Sequence, residues 1–502
     1  MCKTAGVVAN LADFVGIAAQ SRPRHPAVVT DARTTTWSEV DWQVRAVASG
    51  LIARGLDTGS RIGLLQRNTL EFITSYFGIL RAGMVAVPFN TGYTAAELSG
   101  MVSDVDVQLV LAEPDLAPVL DGLGVDVVRT GTEEWRRFTV GSMPLPTEPT
   151  DPESLAVLLF TSGTSGRPKA AMLTHRALSA NLDQLSALGD PPAMTGDDVV
   201  LCVLPLFHIY ALNATLGLVA RHAATIVLTE RFDPAAALAA VRRHHVTNVA
   251  GAPPMYVAWS VQDGLAATLA EVRLLVSGAA PLPLNVMQQF ETLTGKPIWE
   301  GYGMTECSPV ITASLAAGRP KPGFVGRPLP GVEVELRDAD GDPVRDGDPG
   351  EIYVRGDNVF SGYWPDGAGA PDDEGWFATG DVAFSDDEGD LRLVDRRKEL
   401  IIVSGFNVYP REVEDALLQM AGVVEVAVMG VTHPYTGEAV KAFVVAEPGS
   451  AITSEDVLGF AASRLARFKC PTIVDVVDDL PHSVTGKVSK ARLREDWPVT
   501  SL

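Results

Sequence analysis

A short loop rich in glycine and hydroxyl residues holds the groups that a polyphosphate needs. It follows the apolar run Leu155–Phe160, and it reads Thr161-Ser162-Gly163-Thr164-Ser165-Gly166-Arg167-Pro168-Lys169. Glycines let backbone N–H groups approach phosphate oxygens, hydroxyls donate hydrogen bonds, and Lys169 adds a positive charge. A flexible linker is the alternative, but linkers rarely lie between two apolar elements. The loop therefore predicts a polyphosphate site at the end of a buried strand.

Two common nucleotide motifs are absent from the sequence. The Gly-Lys pairs at Gly295 and Gly486 have Phe290 and Pro481 five positions upstream, where a P-loop requires glycine. The pair Gly301 and Gly303 lacks the third glycine of a dinucleotide fingerprint, because Glu306 occupies that position. The sequence therefore gives little support for a Walker-type ATPase or a Rossmann dehydrogenase.

Further motifs follow the loop in order along almost the whole chain. They are Ser277-Gly278-Ala279-Ala280-Pro281-Leu282, Gly301-Tyr302-Gly303-Met304-Thr305-Glu306, Thr379-Gly380-Asp381, Arg396, Glu399–Arg411 with Gly405-Phe406, and Pro481–Lys487. Together with the loop, this set resembles the adenylate-forming superfamily of acyl- and aryl-CoA synthetases, peptide-synthetase adenylation domains and luciferase. It is most similar to bacterial fatty-acid–CoA ligases. The resemblance implies two half-reactions: a carboxylate and ATP give acyl-AMP and pyrophosphate, and a thiol then takes the acyl group.

The resemblance assigns ATP and Mg²⁺ to two of these motifs. The residues implied in nucleotide binding are Thr161 to Gly166, Lys169, Gly278, Ala279, Ala280, Gly301, Tyr302, Gly303, Met304 and Thr305. Tyr302 offers a flat face to a purine, and the glycines beside it give that purine room. Thr305 donates to a phosphate oxygen, and Glu306 is a hard oxygen ligand for Mg²⁺. Without the resemblance, the segment also suits a turn followed by a helix cap.

The remaining motifs imply sugar binding, catalysis and a hinge. A carboxylate such as Asp381 accepts hydrogen bonds from two vicinal ribose hydroxyls, with Arg396 as the second ribose contact. Lys487 would bridge the substrate carboxylate and the α-phosphate, which stabilises the charge that develops during attack. Lys398 matches the hinge, and Gly405 with Phe406 matches the loop that turns toward CoA. Without the resemblance, Asp381 would be interpreted as a solvated acid and Lys487 as a surface charge.

The segments expected to line the acyl pocket are apolar or small. They are residues 207–213 with His208, Ala211 and Leu212, residues 251–257 with Ala252 and Met255, and residues 310–313. Because Leu201 to Thr229 contains neither Asp nor Glu, an amino-acid substrate with its ammonium group is disfavoured. A dicarboxylate would need a buried arginine, for which Arg273 is a candidate, although a structural role suits it better. His208 suits a pocket gate and a packing residue equally well.

A neutral medium- or long-chain fatty acid fits these segments best, with an aromatic acid next. The predicted function is therefore ATP-dependent ligation of such an acid to coenzyme A, catalysed by an acid–thiol ligase. Three alternatives stay open: an enzyme that loads a carrier protein, an aryl- or malonyl-CoA synthetase, and an inactive protein that senses AMP or an acyl ligand.

The positioning elements alternate between helix and strand, which predicts an α/β fold with largely parallel sheets. Thr36 or Ser38 caps one predicted helix, Asn10 caps the first helix, and residues 61–66 form a buried strand. Short strands separated by Gly, Pro and Asp predict a small β-barrel-like subdomain at about 320–395. We place a large N-terminal domain at 1–395 and a small, mobile α+β domain at 396–502.

The charge and cysteine content of the chain limit the kinds of partner and compartment that we expect. The chain of 502 residues has 40 Lys and Arg against 62 Asp and Glu, a net charge of −22, so nucleic acid is a poor partner. The four cysteines lie far apart, which indicates a reducing, cytoplasmic compartment. The longest apolar runs are too short to cross a bilayer, although peripheral membrane contact stays open. A monomer or a homodimer is expected.

Overall fold

A computed structural model describes residues 8–140, 150–161, 168–345, 347–396, 399, 401–403, 406–433, 437–482 and 488–496. Four groups of predicted site residues lie outside these ranges: Ser162 to Gly166, Lys398, Gly405 and Lys487. The side chains of Arg396 and Phe406 also lie outside the description, although their backbones belong to strands.

Helices and strands alternate through the first third of the chain. In order, they are α1 (Asp13–Ser21), β1 (Pro26–Val29), β2 (Thr34–Thr36), α2 (Trp37–Ala53), β3 (Arg61–Leu65), α3 (Leu70–Arg81), β4 (Val85–Pro88), α4 (Ala95–Asp104), β5 (Val107–Ala112), β6 (Asp126–Arg129), α5 (Glu133–Thr139), β7 (Leu155–Thr161) and β8 (Lys169–Thr174).

The same alternation continues through the middle of the chain. The elements are α6 (His175–Ser186), β9 (Val199–Cys202), α7 (Leu218–His222), β10 (Thr225–Leu228), α8 (Pro234–His244), β11 (Asn248–Gly251), α9 (Pro253–Ser260), α10 (Leu265–Thr268), β12 (Leu274–Ser277), α11 (Leu284–Thr294), β13 (Trp299–Gly303), β14 (Val310–Ala313) and α12 (Ser314–Ala317). A π-helix, Tyr210–Gly217, runs directly into α7.

The last part of the chain is rich in strands. It contains β15 (Arg327–Pro328), β16 (Glu333–Arg337), β17 (Gly350–Arg355), β18 (Phe377–Ser385), β19 (Leu391–Arg396), β20 (Ile401–Val403), β21 (Phe406–Val408), α13 (Pro410–Leu417), β22 (Val423–His433), β23 (Gly437–Ala446), α14 (Ser454–Arg464), β24 (Ile473–Val477) and α15 (Lys490–Asp496).

Two large sheets form the N-terminal part. One has the order β6-β5-β3-β4-β7-β8 and the other β15-β14-β13-β12-β11-β9-β10-β1-β2. The pairs in their interiors are parallel, and the antiparallel pairs lie at the sheet ends: β7 with β8, β13 with β14, β14 with β15, and β1 with β2. Strands such as β4 and β10 are buried along their whole length, as expected for parallel strands covered on both faces. The expected α/β class is confirmed.

The later strands pair differently. Strands β16 to β19 form a four-stranded antiparallel sheet in chain order, within the stretch expected to be β-rich. The C-terminal part combines the sheet β21-β20-β23-β22, with β24 on β23, and the helices α13, α14 and α15. Among the described residues, none of the helices is both long and apolar enough to cross a membrane.

The first two helices begin in different ways, one with a side-chain cap and one without. Thr36 caps α2, because its hydroxyl accepts from the Glu39 N–H and the Glu39 carboxylate accepts from the Thr36 N–H. The prediction that Asn10 caps α1 is wrong. That helix begins at Asp13, and the Asn10 side-chain oxygen accepts from the Ala12 N–H at 2.9 Å in the turn before it. The Asn10 NH2 group donates to the Leu80 carbonyl at 2.7 Å, which ties the N-terminal segment to α3.

One glycine connects the larger of the two N-terminal sheets to the antiparallel sheet. Gly326 has a φ of +80°, and a Cβ there would lie 2.1 Å from the carbonyl carbon of Ala313 at the end of β14. Its own carbonyl accepts from the Leu391 N–H at 2.9 Å, at the start of β19. The backbones of two sheets therefore meet where only a glycine fits.

We expect Gly326→Ala to lower the free energy of unfolding by about 3 kcal/mol or more, because backbone atoms on both sides must move. Gly318→Ala is the matched control: Gly318 has a φ of +74° but no atom within 4 Å of a Cβ built there. Gly318→Ala should lower the free energy of unfolding by only about 1–2 kcal/mol, because only the left-handed backbone conformation opposes the substitution. Urea unfolding of both variants measures the difference, and equal losses would contradict the close approach.

Candidate active site

The two ends of the phosphate loop lie opposite each other. Thr161 ends β7 and Lys169 begins β8, and the two residues are partners in the antiparallel pair of these strands. The described ends of the loop thus lie side by side at the base of a β7–β8 hairpin. The Lys169 side chain is exposed, and its ammonium lies 5.2 Å from the centre of the Tyr363 ring. The positive charge of Lys169 therefore lies where the loop rejoins the sheet and is accessible to a phosphate.

Glu306 lies in a short turn after β13 and is nearly buried, with 5% of its surface exposed. The Tyr363 hydroxyl donates to its Oε1 at 2.6 Å, and the described residues supply no other donor to this carboxylate. The Phe360 N–H donates to its carbonyl at 2.9 Å. One segment, residues 360–363, therefore holds both the backbone and the side chain of Glu306.

Buried amides fix the turn that carries Glu306. Asn358 donates to the Cys307 carbonyl at 2.9 Å, Asn213 to the Ser308 carbonyl at 2.7 Å, and Asn181 to the Val310 carbonyl at 2.8 Å. All three asparagines are almost completely buried. Since a buried carbonyl without a partner costs about 1–3 kcal/mol, these contacts favour one conformation of the turn.

The glycines of this motif serve a different purpose from the expected one. A Cβ on Gly303 would lie 2.0 Å from the Pro309 carbonyl oxygen, and one on Gly301 would lie 3.0 Å from the Thr312 oxygen. Their missing side chains therefore face the incoming strand β14. The interpretation that they make room for a purine is wrong for this face.

The residues expected at the nucleoside lie together. The Tyr302 hydroxyl donates to Asp381 Oδ2 at 2.7 Å, and Tyr302 is mostly buried. Asp381 on β18 is the register partner of Arg396 on β19, which places the two expected ribose contacts across one hairpin. The loop after β12 runs past the π-helix: Ala279 has a φ of +67°, and a Cβ on Gly278 would lie 3.0 Å from the Tyr210 ring.

The expected acyl residues are mostly buried. Ala211 and Leu212 lie in the π-helix with no exposed surface, while Ala252 and Met255, at the start of α9, keep 6% and 4%. His208 is half-buried, and its Nδ1 accepts from the Tyr210 N–H at 3.3 Å. This half-buried position suits both roles considered for His208, a packing residue and a pocket gate.

Arg273 is not a substrate ligand. It precedes β12, at the strand end opposite the Gly278 loop, and its guanidinium binds both oxygens of the buried Asp198. Burial alone would raise the pKa of Asp198, but hydrogen bonds from Arg273 and Thr247 lower it. The ion pair closes the amino-terminal edge of the sheet, so the structural role is the correct one.

Sequence reasoning missed Tyr363, Asn181 and Asn358, and it included Tyr210 and Asn213 only as members of the acyl segment 207–213. The Tyr210 hydroxyl is buried with no hydrogen-bond partner among the described residues, and burial raises its pKa. Among the missed residues, only Tyr363 carried a signal in the sequence, because Tyr363 and Trp364 form an aromatic pair in a stretch otherwise interpreted as turns.

The donor set fits MgATP. A carboxylate with one oxygen already oriented is a hard ligand of the kind that Mg²⁺ prefers beside phosphates. The exposed ammonium of Lys169 and the hydroxyl residues at the hairpin suit polyphosphate. The carboxylate of Asp381 suits vicinal hydroxyls. The described residues therefore include groups suited to a metal, a phosphate and a sugar, with Glu306 bound to Tyr363 and Asp381 to Tyr302.

Comparisons with known proteins agree with this geometry. The family model described as AMP-binding enzyme matches residues 17–364, and that described as AMP-binding enzyme C-terminal domain matches residues 412–487. A long-chain-fatty-acid–CoA ligase of Yersinia pestis is 34% identical, covering 94% of this chain and 91% of the relative. A feruloyl-CoA synthase of Amycolatopsis is also 34% identical, covering 95% and 96%.

A solved structure extends the likeness to three dimensions. The crystal structure of ATP-bound MatB from Rhodopseudomonas palustris is 34% identical and matches with a TM-score of 0.91, covering 98% of this chain and 99% of that one. The fold and site define an adenylate-forming enzyme, and the chain belongs to the AMP-binding enzyme family. It is an acid–thiol ligase of the acyl-CoA synthetase type, using ATP, Mg²⁺ and CoA.

Glu300, which precedes the Gly301–Glu306 motif on β13, makes the stability of the fold depend on pH. Burial raises its pKa to about 7, opposed in part by the Leu282 N–H and the charge of Arg411. In the unfolded chain this carboxyl titrates near its ordinary value of 4.5. Between these two values the unfolded state loses its proton before the folded state does, so the Glu300 contribution to stability falls as the pH rises.

We expect Glu300→Gln to gain unfolding free energy relative to the wild type as the pH rises from about 4.5 to 7, and then to level off. The gain should be at most about 3 kcal/mol, because one pKa unit is worth about 1.4 kcal/mol. Urea unfolding of both proteins at stepped pH measures it. Parallel profiles over this window would contradict a buried carboxyl that keeps its proton.

Proposed function

We propose that this enzyme activates a neutral fatty acid of medium or long chain and transfers it to CoA. The observation that carries this proposal is the chemistry of the acyl segments, residues 207–213, 251–257 and 310–313, which contain neither acid, lysine nor arginine. Arg273, the cation considered for a second carboxylate, is bound by Asp198 at the other end of β12. An apolar tail therefore meets no uncompensated charge along these segments.

A second candidate, an aromatic acid with a polar ring substituent, rests on Tyr210. Its buried hydroxyl lacks a described partner, and its ring lies against Gly278. A substrate oxygen at that point would satisfy the hydroxyl. The similarity to a feruloyl-CoA synthase adds support for this class.

In the first half-reaction, an oxygen of the substrate carboxylate attacks the α-phosphorus of ATP, and the bond to the β-phosphate breaks to release pyrophosphate. We assign the β- and γ-phosphates to the hairpin with Lys169, and Thr305 to a phosphate oxygen. Mg²⁺ held by Glu306 would neutralise charge on the phosphates. Asp381 and Arg396 would hold the ribose, and Tyr302 would border the adenine. Lys487 would bridge the carboxylate and the α-phosphate.

In the second half-reaction, the CoA thiolate attacks the acyl carbonyl carbon, and AMP leaves. We assign the Gly405-Phe406 loop to this step and Lys398 to the hinge between the two arrangements, since a rotation of the small domain would present one loop after the other. The boundary at residue 396, the cytoplasmic location and the choice between monomer and homodimer stay predictions from the sequence.

A panel of acids tests the substrate class. Acids from acetate to palmitate, with benzoate, ferulate and malonate, are each incubated with ATP, Mg²⁺ and CoA while AMP and thioester are measured together. We expect matched AMP and thioester with medium or long fatty acids. Preference for ferulate would select the aromatic candidate, acyl-AMP without thioester would indicate carrier loading, and no product would contradict the pocket argument.

Lys487→Ala should lower acyl-AMP formation by about 100-fold or more, because it removes charge that stabilises the transition state. Thioester formation from supplied acyl-AMP should stay near the wild-type rate. Lys441→Ala is the control, since Lys441 lies in the same part of the chain and pairs with Asp475 at 2.8 Å. ATP–pyrophosphate exchange and thioester release measure the two halves, and equal loss of both would contradict the proposed role.

A further inference from the structure

One aromatic residue touches both the phosphate hairpin and the candidate metal carboxylate. Tyr363 donates its hydroxyl to Glu306 at 2.6 Å and places its ring 5.2 Å from the Lys169 ammonium. The hydroxyl of Thr161, at the other end of the hairpin, also lies against the phenol. We propose that Tyr363 is a positioning residue that orients Glu306 toward Mg²⁺ and sets its distance from the phosphate hairpin.

The backbone around Tyr363 fixes this position. Residues 361–364 run antiparallel to β8: the Ser361 N–H donates to the Met172 carbonyl, the Met172 N–H to the Gly362 carbonyl, and the Trp364 N–H to the Ala170 carbonyl. These bonds measure 2.9 to 3.0 Å, and Tyr363 faces Ala171 across the pair. Since β8 begins at Lys169, the phenol and the ammonium belong to one small ladder.

Packing beside this ladder leaves the ring little freedom. Phe360 meets the Tyr363 ring edge to face, with centroids 5.1 Å apart, and a Cβ on Gly369 would lie 3.2 Å from the ring. Gly362, with a φ of +91°, turns the chain where a Cβ would meet the Gly367 carbonyl oxygen at 2.2 Å. The ring is thus fixed by its neighbours and not by Glu306 alone.

The consequence concerns the two oxygens of Glu306. With Oε1 held by the phenol, the carboxylate keeps one orientation, and Oε2 is presented without the entropy cost of ordering it at the moment a cation binds. The ring meanwhile offers its π-face to Lys169, which keeps the ammonium near the phosphates. This inference rests on the proposed role of Glu306 as the Mg²⁺ ligand.

The test separates the hydroxyl from the ring in the full-length enzyme. In Tyr363→Phe we expect the dissociation constant of Mn²⁺–ATP, measured by electron paramagnetic resonance, to rise by about tenfold, since loss of a ligand-orienting partner costs about 10–100-fold in metal affinity. ATP binding in EDTA should stay unchanged, because the ring beside Lys169 is retained. Tyr363→Leu should weaken both.

Kinetics supply a second measurement. Raising free Mg²⁺ should restore ATP–pyrophosphate exchange in Tyr363→Phe toward the wild-type maximal rate, because positioning raises the metal requirement and leaves the reacting groups in place. Tyr353→Phe is the control: Tyr353 lies on β17 with its ring beneath Arg337, and its hydroxyl makes no hydrogen bond to the described residues. It should match the wild type in binding and in exchange.

The outcomes distinguish this inference from the function on which it rests. If Glu306→Gln binds Mn²⁺–ATP as tightly as the wild type, the proposed metal role fails and the inference with it. If Glu306→Gln loses metal affinity but Tyr363→Phe does not, only the inference is overturned. A loss in Tyr363→Phe that excess Mg²⁺ leaves unchanged, together with a lowered melting temperature, would show a merely structural role and would also overturn it.

Discussion

The close approach of β14 to β13 is the constraint on which the site depends. The Pro309 carbonyl accepts from the Met304 N–H at 2.9 Å and occupies the space that a side chain on Gly303 would need. The turn between these strands carries Glu306, and β13 itself carries Tyr302. Because the two backbones meet so closely, the turn is short and its carbonyls face inward, where the buried asparagines receive them. A larger residue at Gly303 would therefore displace Glu306 and Tyr302 together.

The phosphate and acyl sides are built on different principles. Around Glu306 and Tyr363 the groups are polar, nearly buried and joined by short hydrogen bonds, so their geometry is fixed before a ligand arrives. Around the π-helix most side chains are buried and apolar, with Asn213 as a polar exception, and apolar contacts are non-directional, which tolerates tails of different shape. The first side suits a cosubstrate that is always ATP, and the second suits a family whose acids differ.

Much of the site could be predicted from local sequence, and the failures have one physical cause. The loop from Thr161 to Lys169 was visible because its chemistry lies in adjacent residues, whereas the Tyr302 motif and Asp381 were identified only through the resemblance that the order of motifs supplied. The bond between Tyr363 and Glu306 joins residues 57 positions apart, and that between Asn181 and Val310 spans 129, so pattern reasoning could not pair them. The α/β class followed from periodicity, whereas Asn10 failed as the cap because α1 begins at Asp13, after a turn in which the Asn10 side-chain oxygen accepts from the Ala12 N–H.

The π-helix at Tyr210–Gly217 has an evolutionary consequence. A π-helix bonds each residue to the fifth along instead of the fourth, so this segment holds more residues per turn than an α-helix, and a single deletion would change its hydrogen bonding locally. Such a change would alter the segment proposed to face an acyl tail, but it would also reach the turn that carries Glu306, because Asn213 of the π-helix donates to the Ser308 carbonyl. Changes that keep Asn213 are therefore the ones expected to alter the acid accepted without disturbing the Glu306 turn, in a family whose relatives of equal identity are named for fatty and aromatic acids.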